Sequence, residues 1–236
     1  MVFNISPVPE CDGGKDIDSY LVSPPESFNL DYQLTHPSQS SILKRLVDIV
    51  GAIVGLIITA AIAIPITVVT LIDNPGPIFY SQIRCGHNGK AFRIWKFRSM
   101  IKDADKLKHL VKNEANGHIF KCVEDPRITK VGKFLRRTSL DELPQFWNVL
   151  KGEMSLVGTR PPTPDEVMQY QAHHWERLRV KPGITGEWQA NGRSRIKDFE
   201  DIVKMDLEYQ RKWSVTYDLF LIMKTIWVVL NKSGAY

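Results

Sequence analysis

One apolar run dominates the pattern of hydrophobic and polar positions along this chain. Residues 49–72 are 24 positions without a formal charge, rich in isoleucine, valine, alanine and leucine. As a helix they would extend roughly 36 Å, which exceeds the bilayer core of about 30 Å. Core helices of soluble proteins seldom stay apolar on every side for this length. The run therefore predicts a membrane-inserted helix over residues 42–72.

The path of this helix through the membrane depends on a proline and on the charges that flank it. Pro65 lies inside the run, where it removes a backbone hydrogen bond and kinks or breaks a helix. Basic residues lie on both sides of the run: Lys44 and Arg45 before it, and Arg84, Lys90, Arg93, Lys96 and Arg98 after it. The positive-inside rule places both flanks in the cytoplasm, which a straight span cannot do. We expect a re-entrant helix that breaks near Pro65; the alternative is a kinked helix that crosses the bilayer.

The pattern after the run predicts a hairpin and then mainly helices. Residues 78–84 and 91–100 are typical of two strands around the Asn88-Gly89 turn. Strand alternation places Lys96 and Arg98 on one face. Residues 101–115 resemble an exposed charged helix, and residues 196–212 have helical spacing. Residues 219–230 suit an amphipathic helix in the headgroup region, or a helix packed on the protein's own core.

Charge divides the chain unevenly. Residues 1–41 carry six acids and one base, which predicts a disordered or loosely ordered acidic tail. The remainder has 30 bases and 20 acids, a balance that suits a polyanionic ligand or an anionic lipid surface. With a membrane helix present, we do not expect nucleic acid as a partner. Residues 73–200 then form a cytoplasmic catalytic domain, and residues 201–236 form C-terminal amphipathic helices.

Two adjacent carboxylates, Asp141 and Glu142, are the strongest candidates for chemistry. They follow Arg136 and Arg137, and a carboxylate beside cations stays ionised and can attack phosphorus. The structural alternative is a capping box in which Ser139 caps a helix and Glu142 occupies its third position. A helix that starts at or after Glu142 accommodates Pro144 better. Both carboxylates would then lie at an electropositive helix N-terminus, which also attracts phosphate.

Further basic residues favour a phosphate site around these carboxylates. Lys133, Arg136 and Arg137 share a helical face, Arg160 lies in a Gly/Pro-rich loop, and Arg193 follows the Asn191-Gly192 turn. Arginine suits bidentate contact with phosphate. We interpret the set as a diphosphate site that also needs a metal ion, because a carboxylate must approach an anionic phosphorus.

Other patterns are weaker. Asp103 and Asp105 match the D-x-D pattern of nucleotide-sugar glycosyltransferases but lie among alternating surface charges. His173 and His174 have no acidic partner at ligand spacing, which predicts a surface position. The chain contains neither a P-loop nor a Rossmann glycine motif.

Seven ordered motifs resemble one family, the bacterial sugar transferases that act on polyprenyl phosphates. The resemblance covers residues 44–236. Its landmarks are KRLVD at 44–48, PGPIF at 75–79, WKFRSM at 95–100, SLDELPQ at 139–145, NVLKGEMSLVG at 148–158, and KPGITG at 181–186, with the arginine of a G-x-R-P loop at position 160. Thr159 stands where the family usually has proline.

The resemblance implies a concrete reaction. Family members transfer a sugar-1-phosphate from a UDP-hexose to undecaprenyl phosphate, release UMP and require Mg2+. Asp141 matches the nucleophile that becomes covalently modified, and Glu142 matches a metal-binding residue. Lys96, Arg136 and Arg193 match basic active-site residues. The fold implied is an irregular α/β arrangement on the cytoplasmic face of the bacterial inner membrane, with a re-entrant helix, a small hairpin and interfacial helices.

The same resemblance implies a role and partners. Short members of the family begin the assembly of exopolysaccharide or other surface-glycan repeat units, so downstream glycosyltransferases are expected as partners. Arg98, Arg137 and Arg160 are further candidates for substrate contact. Two alternatives stay open: a non-catalytic membrane adaptor that binds anionic lipid or a partner enzyme, and a glycosyltransferase that uses Asp103 and Asp105 and releases UDP.

Overall fold

One long helix and two small sheets organise the part of the chain that the structure describes. The structure is a computed structural model, and it describes residues 22–23, 35–120, 122, 124–192, 196 and 198–231. Its α-helices are α1 (Pro37–Ser40), α2 (Ile42–Asp73), α3 (Lys130–Arg137), α4 (Phe146–Lys151), α5 (Pro164–Val167), α6 (Glu187–Gly192), α7 (Phe199–Lys212) and α8 (Val215–Leu230). Short 3-10 helices cover His87–Gly89, Ala104–Leu110, Leu140–Gln145 and Ala172–Arg179. The predicted mixed helix and strand class is confirmed.

The two sheets have two strands each. In the first, β1 (Phe79–Cys85) pairs antiparallel with β2 (Ala91–Phe97), and Tyr80 lies opposite Lys96. Asn88 and Gly89 have φ angles of 55° and 77°, so the predicted turn has the left-handed conformation that favours these two residue types. In the second sheet, the three-residue strands β3 (Ser155–Val157) and β4 (Gly183–Thr185) run parallel.

Helix α2 follows the predicted apolar run and is longer than it. Ser41 caps its start by accepting a hydrogen bond from the Lys44 amide at 3.2 Å. The helix is long and apolar enough to cross a membrane by length and composition. Its helical conformation continues through Pro65, so the predicted break at that proline is wrong. Pro65 lies on an exposed side of the helix, where the carbonyl that loses its donor is not enclosed by the domain.

One side of α2 contacts the rest of the domain along the whole helix. Near its start, Asp48 Oδ1 accepts hydrogen bonds from the Ser155 hydroxyl and the Leu156 amide, each at 2.9 Å. In the middle, Ile66 packs in a cluster with Phe97 and Leu135. At its end, Asp73 Oδ2 accepts from the Val131 amide at 3.0 Å. The opposite side exposes large apolar residues, among them Ile42, Ile57, Ile64 and Ile72.

Two basic residues that precede the apolar run are engaged inside the protein. Lys44 Nζ lies 2.6 Å from Asp218 Oδ2 in a buried ion pair, with the two side chains 6% and 3% exposed. Arg45 donates to the carbonyl oxygens of Val149 and Leu150 at 2.8 and 2.7 Å, which satisfies the end of α4. These charges therefore join α2 to the domain and are not available to lipid headgroups.

Helix α8 packs on the protein's own core, one of the two expectations for residues 219–230, and its place in the headgroup region stays a prediction. On α8, Asp218 and Leu221 are buried, and Leu221 belongs to the core cluster that contains Val149 and Met154. The other side of α8 exposes apolar side chains, including Leu219, Phe220, Met223, Ile226, Trp227 and Leu230. Helix α8 thus packs on the core with one edge and presents an apolar surface with the other.

Two further segments differ in extent from their predictions. Within residues 101–115, the helical part is a 3-10 helix over Ala104–Leu110. At the end of the predicted acidic tail, His36 Nε2 lies 3.1 Å from the Gln210 carbonyl, and its ring packs against Trp213. Most of the predicted tail lies outside the described residues.

Candidate active site

The Asp-Glu pair lies in a short helical turn, the 3-10 helix Leu140–Gln145, which runs directly into α4. Asp141 and Glu142 occupy its first turn, as expected for carboxylates at a helix N-terminus. Ser139 is the N-cap residue with a φ of 56°, and its side chain makes no capping hydrogen bond. The alternative of a capping box is therefore wrong. The 3-10 geometry accommodates Pro144, because a short 3-10 turn has few backbone hydrogen bonds to lose.

Lys96 joins the hairpin to this turn. Its Nζ lies 2.9 Å from Glu142 Oε1, and both side chains are partly buried. Asp141 itself is 5% exposed. An ion pair between β2 and the turn fixes Glu142 beside the buried carboxylate, so the cation and the two acids predicted from separate motifs belong to one site.

Helix α3 supplies a second basic residue from its last turn. Arg136 Nε donates to the Ser99 hydroxyl at 2.9 Å. Its two terminal nitrogens make no hydrogen bond to another described residue, which leaves them available to an anion. Arg137, next in the chain, is exposed.

Arg98 has a structural role in the turn that follows α2. It is 6% exposed, and its Nη1 donates to Asn74 Oδ1 at 3.0 Å while Nη2 bonds the Asn74 carbonyl. Gly76, with a φ of 145°, passes so close that a Cβ there would lie 2.6 Å from Nη1. Burial lowers the pKa of this guanidinium. The contact between Arg98 and substrate stays a prediction.

Arg160 lies in a loop with a fixed backbone. The carbonyl of Arg160 accepts from Arg177 at 3.3 Å, and the carbonyls of Pro161 and Pro162 accept from Arg84 and the Cys85 amide at 3.0 and 2.8 Å. Three hydrogen bonds thus hold the backbone of this loop in place. Arg193 lies outside the described residues.

The two carboxylates of the D-x-D pattern have different partners. Asp103 lies 3.8 Å from Lys106, and both Asp105 oxygens accept from the Tyr80 hydroxyl. Asp103 has a left-handed backbone and caps the 3-10 helix Ala104–Leu110, and Asp105 lies in the first turn of that helix. Asp103 therefore contacts Lys106, whereas Asp105 contacts Tyr80.

His174 is buried, contrary to its predicted surface position, whereas His173 is exposed as predicted. His174 is 1% exposed, and its Nε2 lies 2.8 Å from Glu200 Oε1. Its Nδ1 accepts a hydrogen bond from the Gln171 amide at 3.0 Å, so the ring carries its proton on Nε2. His173, His174 and Glu200 have the spacing of metal ligands. The hydrogen bond between His174 and Glu200 accounts for the short distance between these two side chains.

The chemistry of Asp141 and Glu142 fits a magnesium ion. Both offer hard carboxylate oxygens, the ligands that Mg2+ prefers. Mg2+ is commonly held by one or two carboxylates together with substrate phosphates. The Lys96 contact engages one oxygen of Glu142, and magnesium binding by Asp141 and Glu142 stays a prediction.

Comparison with known proteins places the chain among sugar transferases. Residues 39–232 match the family described as bacterial sugar transferase. The galactosyl transferase CpsE of Streptococcus agalactiae is 53% identical over 196 residues, which is 82% of this chain and 43% of that protein. The undecaprenyl-phosphate galactose phosphotransferase of Salmonella typhimurium is 43% identical over 84% of this chain and 42% of its own length.

A shorter relative is covered almost fully. The exopolysaccharide production protein ExoY of Sinorhizobium fredii is 38% identical over 83% of this chain and 88% of that protein. The chain thus spans less than half of the first two relatives and most of the third. Because the family match covers most of the chain, including the Asp-Glu turn, α2 and α8, the chain belongs to the bacterial sugar transferase family.

Proposed function

We propose that this chain transfers a hexose-1-phosphate from a UDP-sugar to undecaprenyl phosphate, releases UMP, and so starts a surface-glycan repeat unit. The observation that carries the proposal is the Asp141-Glu142 turn, with Lys96 bound to Glu142 and Arg136 on the adjacent helix. Relatives named for undecaprenyl-phosphate galactose and glucose-1-phosphate transfer support the substrate classes.

The proposed reaction has two displacements at one phosphorus. An Asp141 oxygen attacks the phosphorus that carries the sugar, and the bond from that phosphorus to the bridging oxygen breaks, so UMP leaves with the electron pair. A phosphate oxygen of undecaprenyl phosphate then attacks the same phosphorus. The bond to Asp141 breaks, the carboxylate is restored, and undecaprenyl-diphosphate sugar is formed.

The residues around Asp141 fit these two steps. Its 5% exposure limits the access of water, which would otherwise hydrolyse an aspartyl phosphate. Lys96 and Arg136 bring positive charge to a site where two anions must meet. Bound Mg2+, held by Asp141 and Glu142, would neutralise charge on the diphosphate and polarise its P–O bonds.

We propose that both ends of α2 lie on the cytoplasmic side of the inner membrane. A straight helix of 32 residues would extend about 48 Å. The domain contacts this helix from Lys44 to Asp73, so a transbilayer path would carry charged parts of the domain into hydrocarbon. The exposed apolar faces of α2 and α8 supply the surface that enters the leaflet.

Nucleotide release tests the proposed reaction. The full chain in lipid nanodiscs, given undecaprenyl phosphate, Mg2+ and a panel of UDP-hexoses, should release UMP with at least one donor. Asp141→Asn should abolish this release and retain membrane association. Release of UDP would support a glycosyltransferase, and no nucleotide release with any donor would favour the adaptor.

A further inference from the structure

Two arginines, Arg84 and Arg160, lie close to the Asp-Glu turn. The carboxylates around them in the described part of the chain balance their positive charge only in part. Arg84 alternates with Tyr80 and Gln82 on one face of β1, and the register places Tyr80 opposite Lys96. Side chains two apart on a strand share a face, so Arg84 lies on the Lys96 side of the hairpin. In the sequence, Arg84 stands out only as one of the charges that follow the apolar run.

Arg84 is held by neutral oxygens alone. Its Nη1 donates to the Pro161 carbonyl at 3.0 Å, and its Nη2 donates to Gln82 Oε1 at 2.7 Å. Its Nε is buried and has no hydrogen-bond partner. Within the described residues, no carboxylate forms an ion pair with it. A guanidinium removed from water without a counterion is costly unless a ligand supplies the charge.

Arg160 lies next to Pro161, in the loop whose backbone Arg84 contacts. Its only ion pair with a described residue is a long one, 3.7 Å from Nη1 to Glu166 Oε2. That oxygen already accepts a hydrogen bond from the Thr163 amide at 2.9 Å. The Arg160 side chain is 27% exposed and lies over the Trp188 ring, so a ligand can reach it.

The two guanidiniums influence each other electrostatically. Burial lowers the pKa of Arg84 and the charge of Arg160 lowers it further, while Glu166 and Glu142 act in the opposite direction. The effect of Glu142 agrees with the hairpin geometry, in which Arg84 shares a face with Lys96, the ion-pair partner of Glu142. Two arginines that repel each other, with one shared carboxylate, are arranged for a bound anion.

We infer that Arg84 and Arg160 form a clamp for a phosphate group of a substrate. The loop backbone that Arg84 holds also positions Arg160, so the clamp is formed before the ligand binds. Two substrates of the proposed function carry such a group: the nucleotide, in the phosphate of UMP, and the lipid acceptor, in its terminal phosphate. The inference rests on the proposed function only in naming UMP and the lipid acceptor as the sources of the phosphate group.

Binding measured without turnover tests the clamp. The full chain carrying Asp141→Asn, in nanodiscs, is titrated calorimetrically with UMP and, separately, with a short-chain polyprenyl phosphate. Arg84→Gln and Arg160→Gln should each weaken the same ligand by about 10- to 100-fold, the range for one charge-assisted hydrogen bond. Arg84→Lys keeps the charge but loses the fork, so its loss should be smaller.

The matched control is Arg45→Gln. Arg45 also donates to two backbone carbonyls, those of Val149 and Leu150, but at the end of α4. It should leave both affinities within about twofold of the parent, as expected for a site with no shared contact. Weakening of UMP alone assigns the clamp to the nucleotide, and weakening of the lipid phosphate alone assigns it to the acceptor.

Two outcomes overturn the clamp. One is unchanged affinity for both ligands in Arg84→Gln and Arg160→Gln. The other is an equal loss in Arg45→Gln, which would indicate a general effect on folding. If UMP binds at the clamp but the protein never releases UMP from UDP-sugars, the proposed function is refuted and the clamp stands.

Discussion

Lys96 Nζ lies 2.9 Å from Glu142 Oε1, and this pair joins the second strand of the hairpin to the turn that carries Asp141. The contact spans 46 positions of the chain. It fixes the geometry of the candidate site, because the turn itself has no side-chain cap at Ser139. The hairpin therefore serves as the support on which the two carboxylates are positioned.

Loss of this pair should reduce activity. In Lys96→Gln, Glu142 keeps its charge and loses its cation, so we expect kcat/KM for UMP release to fall about 10- to 100-fold. Lys151→Gln is the control, because Lys151 forms an ion pair with Glu153 at 2.5 Å on the surface. Equal activities in the two variants would show that the Lys96 contact does not matter for the reaction.

Close packing at Gly132 should be essential for the site. A Cβ at this position would lie 1.9 Å from the Ser99 carbonyl oxygen, and the Ser99 hydroxyl accepts from Arg136. Gly132→Ala should destabilise the fold by about 1–3 kcal/mol and reduce activity. At Gly51 the nearest atom is the end of the Leu156 side chain, so Gly51→Ala should be milder. Thermal unfolding of both variants in nanodiscs measures the two losses of stability. Equal stability would contradict the closer packing inferred at Gly132.

The buried ion pair at the start of α2 should be costly to break. Asp218 accepts from Lys44, from the Tyr209 hydroxyl at 2.8 Å and from the Trp213 indole at 3.1 Å. Lys44→Met leaves this carboxylate buried without its cation, which should cost about 3–5 kcal/mol of unfolding free energy. Lys212→Met, which breaks an exposed pair with Glu208, should have little effect on stability because solvent screens that pair. Similar losses in the two variants would show that the Lys44 pair is not special.

The His174–Glu200 contact should make stability depend on pH. Burial lowers the pKa of His174 below its ordinary value of 6.5. The hydrogen bond from His174 lowers the pKa of Glu200 below its ordinary 4.5. Between each lowered pKa and the ordinary value of that group, the unfolded chain binds more protons than the folded chain. Stability is therefore retained above pH 6.5 and falls as the pH drops below it.

Glu200 adds a second loss of stability below its ordinary pKa of 4.5. Each group contributes at most about 1.4 kcal/mol per pH unit. His174→Gln should flatten the dependence between pH 6.5 and 4.5. An unchanged slope in His174→Gln would assign the titration to another group.

Local patterns predicted the elements that position the site. The uncharged run yielded α2, alternation around Asn88-Gly89 yielded the hairpin, and the Asp-Glu motif lay at a helix start as expected. Each of these depends on residues close together in the chain. The helix predicted over residues 42–72 is α2, Ile42–Asp73, which begins about two turns before the apolar run because Ser41 caps it.

Contacts between distant residues could not be read from the sequence. Lys44 and Arg45 resembled flanking charges for lipid headgroups, but their partners lie more than 100 positions away. His174 resembled a surface residue because Glu200 is 26 positions distant. A charge next to an apolar run suits either a membrane surface or a buried ion pair, and only the fold decides.

The central claim is that an Asp141 oxygen captures the phosphorus of the sugar donor. The direct measurement is mass spectrometry of the full chain, quenched with acid after mixing with a UDP-hexose that it uses and Mg2+, without lipid acceptor. One hexose phosphate should be added to the peptide that contains Asp141, with one UMP released per adduct. Rapid UMP release without an adduct at any time, or an adduct on a different residue, would contradict it.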